Sequence, residues 1–341
     1  SADLLGVAED DFFPAVVRVV SMADGRPAYQ LERLAAVAGC IRNKINRRVE
    51  GKRHDLDVDW RAELDRHLGP IVEGEDAETE ERARHEKAMA LAEVAAARFS
   101  VLIGSAGTGK TTLLSVLCQH EQIQSQEVLL LAPTGKARVR MEEVAKRAGI
   151  SNYQAYTLAQ FLSQVGRYHG KTQRYTIDGD PPVKGAKTVI VDECSMLTEE
   201  MMASLLSALS AVHRLIFVGD HRQLPPIGAG RPFVDVVKHL EPDDIETIFP
   251  RVATSYAELT VPRRQGSGER EDLQLAEWFG GEAGGPGEDQ IFEILSGQRE
   301  SEHVRFVSWE TPDELEHKLP EVLAETLKFD GEKGEVLSFA E

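Results

Sequence analysis

The residues with the clearest capacity for chemistry form a glycine-rich segment that ends in a lysine and two threonines. This segment matches the phosphate-binding pattern G-x-x-x-x-G-K-[ST] in full. Its nine residues are Gly104, Ser105, Ala106, Gly107, Thr108, Gly109, Lys110, Thr111 and Thr112. Backbone amides in such a loop point at phosphate oxygens, and the helix that follows adds positive potential. We expect Lys110 to reach the β- and γ-phosphates of a nucleotide and the Thr111 hydroxyl to bind Mg²⁺.

Two adjacent acids, Asp192 and Glu193, follow a run of β-favouring residues at positions 188–191. Their carboxylates project from a strand end, where Asp192 is suited to hold Mg²⁺ through water and Glu193 to orient or deprotonate an attacking water. The alternative is that the pair simply precedes a helix, because Thr198-Glu199-Glu200 is typical of a helix N-terminus. The phosphate loop upstream favours the catalytic interpretation, since the two sites support each other.

A third polar segment, GDHRQLPPIGAG at residues 219–230, follows the apolar run at residues 215–218. A loop rich in proline and glycine after a buried strand lies at the carboxyl edge of the sheet, where open α/β sheets bind ligands. This loop pairs an acid, Asp220, with Gln223 three residues later. We interpret it as a nucleotide-sensing loop.

These three segments require strands that end at one edge of a common sheet. The strand candidates are the apolar, β-favouring runs at residues 99–103, 128–132, 188–191, 215–218 and 257–260. Helical patterns lie between them, and such alternation predicts an α/β fold with a parallel sheet and helices on both faces. In the N-terminal region, apolar residues at helical spacing predict helices at residues 12–22 and 29–45.

Three regions are predicted along the chain. Residues 1–77 are expected to form a helical N-terminal region, and residues 78–265 to carry the sheet. A small hairpin is predicted as an insertion at residues 164–184, with its turn at Asp178-Gly179. Residues 266–341 are rich in acids and glycine, which predicts an acidic and partly flexible segment.

Two further segments have residue types that can hold a nucleic acid across the sheet edge. In the first, APTGKARVR, the Thr134 hydroxyl, exposed amides and Lys136 can hold a phosphate at the start of a basic helix. The second, AYTLAQFL, offers a hydroxyl at Thr157 beside an aromatic side chain that can stack on a base. An ordinary amphipathic helix is the alternative for this second segment.

The formal net charge of −18 is unevenly distributed over the 341 residues. Residues 266–341 contain 20 acidic and 6 basic side chains, whereas residues 133–187 contain 4 acidic and 10 basic ones. Because local charge decides contact with phosphates, the overall charge does not exclude DNA. No apolar run approaches the ~20 residues that cross a bilayer, so no membrane partner is expected. Three cysteines without metal-like spacing favour a reduced, cytoplasmic setting.

The segments GSAGTGKTT, APTGKAR, VIVDECSML, FVGDHRQLPPIGAG and LTVPRRQ, in this order, resemble those of superfamily 1B helicases of the RecD-like type. The resemblance covers roughly residues 80–265 and implies a P-loop NTPase of RecA-like fold, the first of two motor lobes, with ATP and Mg²⁺ as cofactors. It implies that Lys110 and Thr111 bind phosphate and Mg²⁺. Asp192 would be the metal-bound acid and Glu193 the catalytic base. Gln223 would sense the γ-phosphate and Arg264 would contact it from the far edge of the lobe.

The resemblance also implies contacts with DNA and with the base of the nucleotide. Positions along single-stranded DNA are matched by Pro133, Thr134, Lys136 and Thr157. Where the family often has a glutamine that reads adenine, this chain has Glu86, which can accept a hydrogen bond from the adenine amino group but cannot donate one. The family's Thr-x-His is Thr157-Leu158-Ala159 here, so we expect one DNA contact to be missing.

The function implied by this resemblance is that of an ATP-dependent 5′→3′ DNA helicase or translocase of the kind that acts in DNA repair and recombination. The second motor lobe is expected beyond Glu341, so we expect residues 1–341 to bind nucleotide but to hydrolyse it feebly. One alternative is a nucleotide-switched interaction module that docks a protein partner through the N-terminal helices or the acidic residues 266–341. Another is an RNA-directed superfamily 1 motor.

Overall fold

The computed structural model divides the chain into two compact units, residues 1–265 and residues 266–341. The residues that it describes are 17–21, 25–72, 74, 77–105, 107–177, 186–228, 230–261, 293, 296 and 307–327. Within these residues, every helix is either too short or too polar to cross a membrane.

The described residues form eleven short strands. They are β1 (Val17–Ser21), β2 (Pro27–Leu31), β3 (Phe99–Gly104), β4 (Val128–Ala132), β5 (Tyr153–Thr157), β6 (Tyr168–His169), β7 (Arg174–Tyr175), β8 (Thr188–Val191), β9 (Arg214–Gly219), β10 (Val252–Ala253) and β11 (Tyr256–Leu259). The five strands predicted from apolar runs are present with ends that differ by one residue at most. Their residues are buried along the whole strand, which is why the runs are mostly apolar.

Seven of these strands form one sheet in the order β10-β11-β3-β9-β8-β4-β5. All neighbouring pairs are parallel except β10 and β11, which are antiparallel. The carboxyl ends of β11, β3, β9, β8, β4 and β5 therefore lie along one edge of the sheet. The predicted α/β fold with a mostly parallel sheet is confirmed.

Helices cover both faces of this sheet. They are α1 (Glu32–Val49), α2 (Trp60–Leu68), α3 (Ala77–Ala96), α4 (Lys110–Gln119), α5 (Glu121–Gln124), α6 (Gly135–Arg147), α7 (Leu158–Gln164), α8 (Glu199–Ala208) and α9 (Pro232–Leu240) in the first unit. Helices α1, α7, α8 and α9 share one core with Phe99 and Phe217, whose rings meet edge to face. Helices α2, α3, α4 and α6 share the core on the other face with Leu102 and Ile216.

The N-terminal region is less helical than its sequence pattern predicts. The helix predicted over residues 12–22 is wrong for the part that the structure describes, because Val17–Ser21 pairs antiparallel with Pro27–Leu31. The valines of this segment suit a strand, since β-branched side chains pack well on a pleated surface. The helix predicted over residues 29–45 begins at Glu32 instead. Helix α1 packs on the core of the sheet, and the boundary at residue 77 stays a prediction.

Two other segments differ from their sequence patterns. The helical alternative for residues 155–162 is wrong at its start, because Tyr153–Thr157 is the edge strand β5 and α7 begins only at Leu158. A small hairpin lies where an insertion is predicted, formed by β6 and β7, but its chain reversal falls at residues 170–173. The predicted Asp178-Gly179 turn lies outside the described residues.

The second unit is described mainly at one helix, α10 (Pro312–Leu327). Within this helix, Lys318 Nζ pairs with Glu314 at 2.6 Å and also donates to the carbonyl oxygen of Ser308, which precedes the helix, at 2.8 Å. The rest of residues 266–341, with the predicted glycine-rich interruption, lies outside the described residues, so their flexibility stays a prediction.

Candidate nucleotide-binding site

The phosphate loop joins the end of β3 to the start of α4, and its path requires glycine at both ends. Gly104 has φ +153, and a Cβ there would lie 2.6 Å from the Leu259 carbonyl oxygen. Gly109 has φ +94, and a Cβ there would lie 2.6 Å from Cε of Lys87. Because larger residues fit neither position, only glycine lets the backbone take this path.

Lys110 is the first residue of α4, and its ammonium group folds back over the loop. Nζ donates to the carbonyl oxygens of Gly104 at 2.5 Å and Ser105 at 3.1 Å. Burial lowers the pKa of Lys110, and the nearby Asp220 and Asp192 carboxylates act in the opposite direction. The cation therefore lies over the loop that is predicted to hold phosphates, close to acids from two other strands.

Of the remaining loop residues, one is buried and stabilises the loop, and the others are accessible or half-buried. Thr108 is fully buried, and its hydroxyl donates to the Ser105 carbonyl oxygen at 2.9 Å, which closes the turn of the loop. The accessible or half-buried members of the predicted set are Ser105, Gly107, Thr111 and Thr112. Ala106 lies outside the described residues.

Asp192 and Glu193 leave β8 at the same edge of the sheet. The Asp192 amide donates to the Leu131 carbonyl oxygen on β4 at 2.9 Å, and Asp192 Oδ1 accepts the Glu193 amide at 2.9 Å. Glu193 has φ +53, a left-handed conformation that is uncommon outside glycine. Burial raises the pKa of both carboxyls, and for Glu193 the Asp192 charge adds to this effect. A raised pKa makes Glu193 a better proton acceptor, as its predicted role requires.

The oxygen donors at this edge fit Mg²⁺. Thr111 supplies a hydroxyl and Asp192 a carboxylate, and Mg²⁺ is a hard cation that prefers oxygen ligands. In the described part of the chain, no group of three or more His, Cys, Asp or Glu side chains could hold a metal. Mg²⁺ in nucleotide sites typically uses one or two protein ligands and completes its shell with phosphates and water, so this small donor set suits it.

The loop at residues 219–230 leaves β9, which lies between β3 and β8 in the sheet. Gly219 is in close contact with Phe233, since a Cβ would lie 2.8 Å from the ring. Asp220 then organises the turn: its carbonyl oxygen accepts the Gln223 amide at 3.2 Å and its carboxylate accepts the Arg222 amide at 3.0 Å. The Gln223 side chain is exposed on this loop. The three predicted segments thus leave three adjacent strands.

Glu86, the residue predicted to contact adenine, contacts the chain just after β11. It is fully buried on α3, and its carboxylate accepts hydrogen bonds from the Thr260 amide at 2.7 Å, the Thr260 hydroxyl at 2.6 Å and the Val261 amide at 3.3 Å. Both carboxylate oxygens are therefore engaged by the chain just after β11. Glu86 thereby links α3 to the edge of the sheet, and its adenine contact stays a prediction.

The residues predicted to contact DNA continue along the same sheet edge. Ala132, at the end of β4, pairs in register with Thr157 at the end of β5, so the two segments lie side by side. Thr134 is the N-cap of α6 and accepts the Ala137 amide at 3.2 Å, while Thr157 caps α7 in a capping box with Gln160. A threonine hydroxyl that accepts an amide can still donate its own hydrogen. Two helix N-termini with such hydroxyls can hold phosphates.

Pro133 and Lys136 complete this set. Pro133 is half-buried between β4 and α6, and Lys136 is exposed in the first turn of α6. Arg264 lies outside the described residues, so its predicted contact with the γ-phosphate stays a prediction.

Sequence reasoning missed two basic residues near this site. Lys87 is fully buried on α3 and lies against Gly109 of the phosphate loop. Arg140, one turn beyond Lys136 on α6, lies near enough for its charge to lower the pKa values of Asp192 and Glu193 against the effect of burial. Arg140 could have been found from its spacing, because residues four apart on a helix, such as Lys136 and Arg140, lie on the same face. No local pattern marks Lys87, because its contact is with a loop 22 residues further along the chain.

Comparison with known proteins agrees with this site. A family model described as an AAA domain matches residues 83–277, more than half of the 341 residues. The chain belongs to this AAA-domain family. The match spans the phosphate loop, the acid pair and the loop that carries Gln223.

Individual relatives of the AAA domain support the RecD-like resemblance. The ATP-dependent RecD2 DNA helicase of Deinococcus radiodurans is 35% identical over 150 residues, which cover 44% of this chain and 19% of that protein. The RecBCD enzyme subunit RecD of Mycolicibacterium smegmatis is 32% identical over 176 residues, covering 46% of this chain and 31% of that protein. The chain thus spans less than a third of the length of either relative.

Among solved structures, Bacteroides Pif1 bound to single-stranded DNA is 19% identical, with a TM-score of 0.38 over 74% of this chain and 56% of that one.

Proposed function

We propose that this chain is the nucleotide-binding motor lobe of an ATP-dependent DNA helicase or translocase that moves 5′→3′. The observation that carries the proposal is the shared sheet edge. The phosphate loop, the acid pair and the Gln223 loop leave β3, β8 and β9, and the two capped helix N-termini leave the neighbouring β4 and β5. The proposed nucleotide site and the proposed nucleic-acid site would thereby lie on adjacent strands.

In the proposed nucleotide site, each residue has a role that its surroundings suit. Lys110 would exchange its loop carbonyl partners for β- and γ-phosphate oxygens. Thr111 and Asp192 would hold Mg²⁺, which when bound neutralises charge on the phosphates. Glu193 would orient the attacking water and take its proton, as its raised pKa favours. The exposed Gln223 would contact the γ-phosphate from the next strand.

In the proposed DNA site, Pro133, Thr134, Lys136 and Thr157 would follow the backbone of a single strand. These contacts are with phosphates and carry no sequence information, so we propose binding without strong sequence preference. Polarity rests on the RecD-like resemblance alone. Relatives that are named as a RecD2 DNA helicase and as a RecBCD subunit support DNA over RNA. A reducing, cytoplasmic setting is part of the proposal, and all three cysteines are free thiols.

Nucleotide binding is the first test. Fluorescence titration with a methylanthraniloyl ATP analogue and Mg²⁺ should show saturable binding that Lys110→Met weakens at least about tenfold, because a charge-assisted contact is removed. Lys52→Met is the matched control, since Lys52 is exposed and far from the loop in sequence. Equal affinity in wild type and Lys110→Met would refute the assigned site.

DNA binding is the second test. The anisotropy of a fluorescent oligo-dT should report binding that weakens with salt, and Lys136→Met should reduce the slope of log K against log salt by about 0.7 for one lost phosphate contact. Lys146→Met is the matched control, because it removes the same charge from the far end of α6. Competition by an RNA oligomer of equal length separates DNA from RNA; tighter binding of RNA would contradict the proposal.

A further inference from the structure

A buried carboxylate, Glu258, lies on β11 on the face of the sheet opposite α3. It is 6% exposed, and its neighbours in the strand, Ala257 and Leu259, point into the core that α3 shares. The Arg251 guanidinium donates to Glu258 Oε2 at 3.1 Å, and the Tyr256 hydroxyl donates to the same oxygen at 3.2 Å. Burial raises the pKa of Tyr256, so its hydroxyl stays a neutral donor. A buried carboxylate needs such partners, and it has them on the β10 side.

The other carboxylate oxygen faces the Gln223 loop. Arg222 Nη2 lies 4.0 Å from Glu258 Oε1, an ion pair rather than a hydrogen bond. Glu258 pairs in register with Ile103 on β3, the strand that leads into the phosphate loop. The Arg222 side chain therefore reaches from β9 across β3 to β11. Because Glu258 is buried, salt screens this attraction far less than it would an exposed pair.

Arg222 is adjacent in sequence to Gln223, and the two share one turn. The Arg222 amide is held by the Asp220 carboxylate and the Gln223 amide by the Asp220 carbonyl oxygen. Glu258 adds a third restraint, from outside the loop. Because Arg222 and Gln223 are consecutive residues of one short turn, a restraint on the Arg222 side chain acts on the turn that presents Gln223.

We propose that Glu258 is a positioning residue for the γ-phosphate: through Arg222 it holds the loop in the conformation that presents Gln223 to the nucleotide. This inference rests on the proposed function. It adds to that function a residue from β11 that touches neither nucleotide nor metal, and whose effect is on discrimination between ATP and ADP. The phosphate loop itself would bind the α- and β-phosphates equally well without it.

Arg251 provides an internal control for this role. It contacts the same carboxylate at a shorter distance than Arg222 does, but from the segment before β10. If Glu258 matters only for stability, removing Arg251 should change the nucleotide preference at least as much as removing Arg222 does. If Glu258 positions the loop, only the removal of Arg222 or of Glu258 should change the response to the γ-phosphate.

The experiment measures, in the presence of Mg²⁺, the Kd values of the methylanthraniloyl analogues of AMPPNP and of ADP. The proteins compared are wild type, Arg222→Met, Glu258→Gln, Arg251→Met and the double variant Arg222→Met/Glu258→Gln. We expect the preference for AMPPNP over ADP to fall about fivefold in Arg222→Met and in Glu258→Gln, and no further in the double variant. Arg251→Met should keep the wild-type preference while lowering the thermal midpoint. Arg222 is exposed, so its variant also tests the idea should Glu258→Gln fail to fold.

An unchanged preference in Arg222→Met overturns the inference, and so does an equal loss of preference in Arg251→Met. Both outcomes leave the proposed function intact as long as binding depends on Lys110. Absence of any Lys110-dependent binding would overturn the two together.

Discussion

Replacing Glu86 with alanine should destabilise the protein without changing its choice of base. In the native protein this carboxylate holds the chain after β11 against α3 through the Thr260 amide and hydroxyl and the Val261 amide. The substitution removes all three acceptor contacts at once. The sequence resemblance expects the opposite result, a change in nucleotide preference, so the variant discriminates between the two roles.

The magnitude follows from the donors that are left behind. A buried donor without a partner costs about 1–3 kcal/mol. The Thr260 amide loses a short bond at 2.7 Å, the Val261 amide loses a longer one at 3.3 Å, and the hydroxyl can rotate to another acceptor. We assign the Thr260 amide a cost near the top of this range and the Val261 amide a cost near its bottom, which together lower the free energy of unfolding by about 3–4 kcal/mol. The net loss is somewhat smaller, because the substitution also removes a desolvated charge.

Urea unfolding of the two proteins at equal pH measures this loss. Thr260→Val is the matched control: it removes only the hydroxyl contact and should cost about 1 kcal/mol. Fluorescent ATP and GTP analogues give the second readout, and we expect the ratio of their Kd values to match wild type. A loss below about 1 kcal/mol for Glu86→Ala, or a changed ATP-to-GTP ratio at unchanged stability, would refute this structural role of Glu86.

Three further predictions concern the active edge of the sheet. Glu193→Gln should keep nucleotide affinity within a few-fold but lower DNA-stimulated turnover about 10²–10⁴-fold. Phosphate release assays would contradict the base assignment if turnover is retained. For Asp192, burial raises the folded-state pKa, so the stability that protonation provides is lost as pH rises through that pKa. Asp192→Asn should therefore raise the thermal midpoint more at neutral pH than in mild acid. An equal shift of the midpoint at both pH values would show that desolvation is not the cause. Thr157→Ala should cost about 1 kcal/mol through loss of the α7 cap and also weaken binding of oligo-dT, whereas Thr157→Asn should restore the cap but not the DNA contact; restoration of both would remove the hydroxyl from the interface.

Much of the sheet was predictable because its central strands are buried on both faces, which leaves uninterrupted apolar runs such as VLLLA in β4. The edge strand β5 reads YQAYT and is only partly buried. Its polar positions face solvent, so the run has no strand signature and merges with the helix that follows. The β1–β2 hairpin was missed for a different reason, because the valines around Arg18 satisfy both a helical and a strand spacing over so short a stretch.

The relation between the three site segments was predictable because each follows a strand of a parallel sheet. The roles of Glu86 and Glu258 were not. Glu86 contacts residues 174 and 175 positions away, and Glu258 meets Arg222 across an intervening strand. Such contacts can be predicted only when the order of the strands in the sheet is known. In the sequence, a carboxylate on a helix or strand looks the same whether it faces solvent, a ligand or a backbone amide.

Helix α1 bears on how the protein can be cut for study. Val37, Ile41 and Ile45 pack into the core that covers one face of the sheet, and Arg48 donates from the same helix to the Leu209 carbonyl oxygen at 3.3 Å. A truncation placed at the first residue of the helicase-like motifs would strip that face and leave a wide apolar patch, a feature that drives aggregation. A fragment that keeps this face covered must therefore include α1, which begins at Glu32, well upstream of the residues 83–277 that the family model matches.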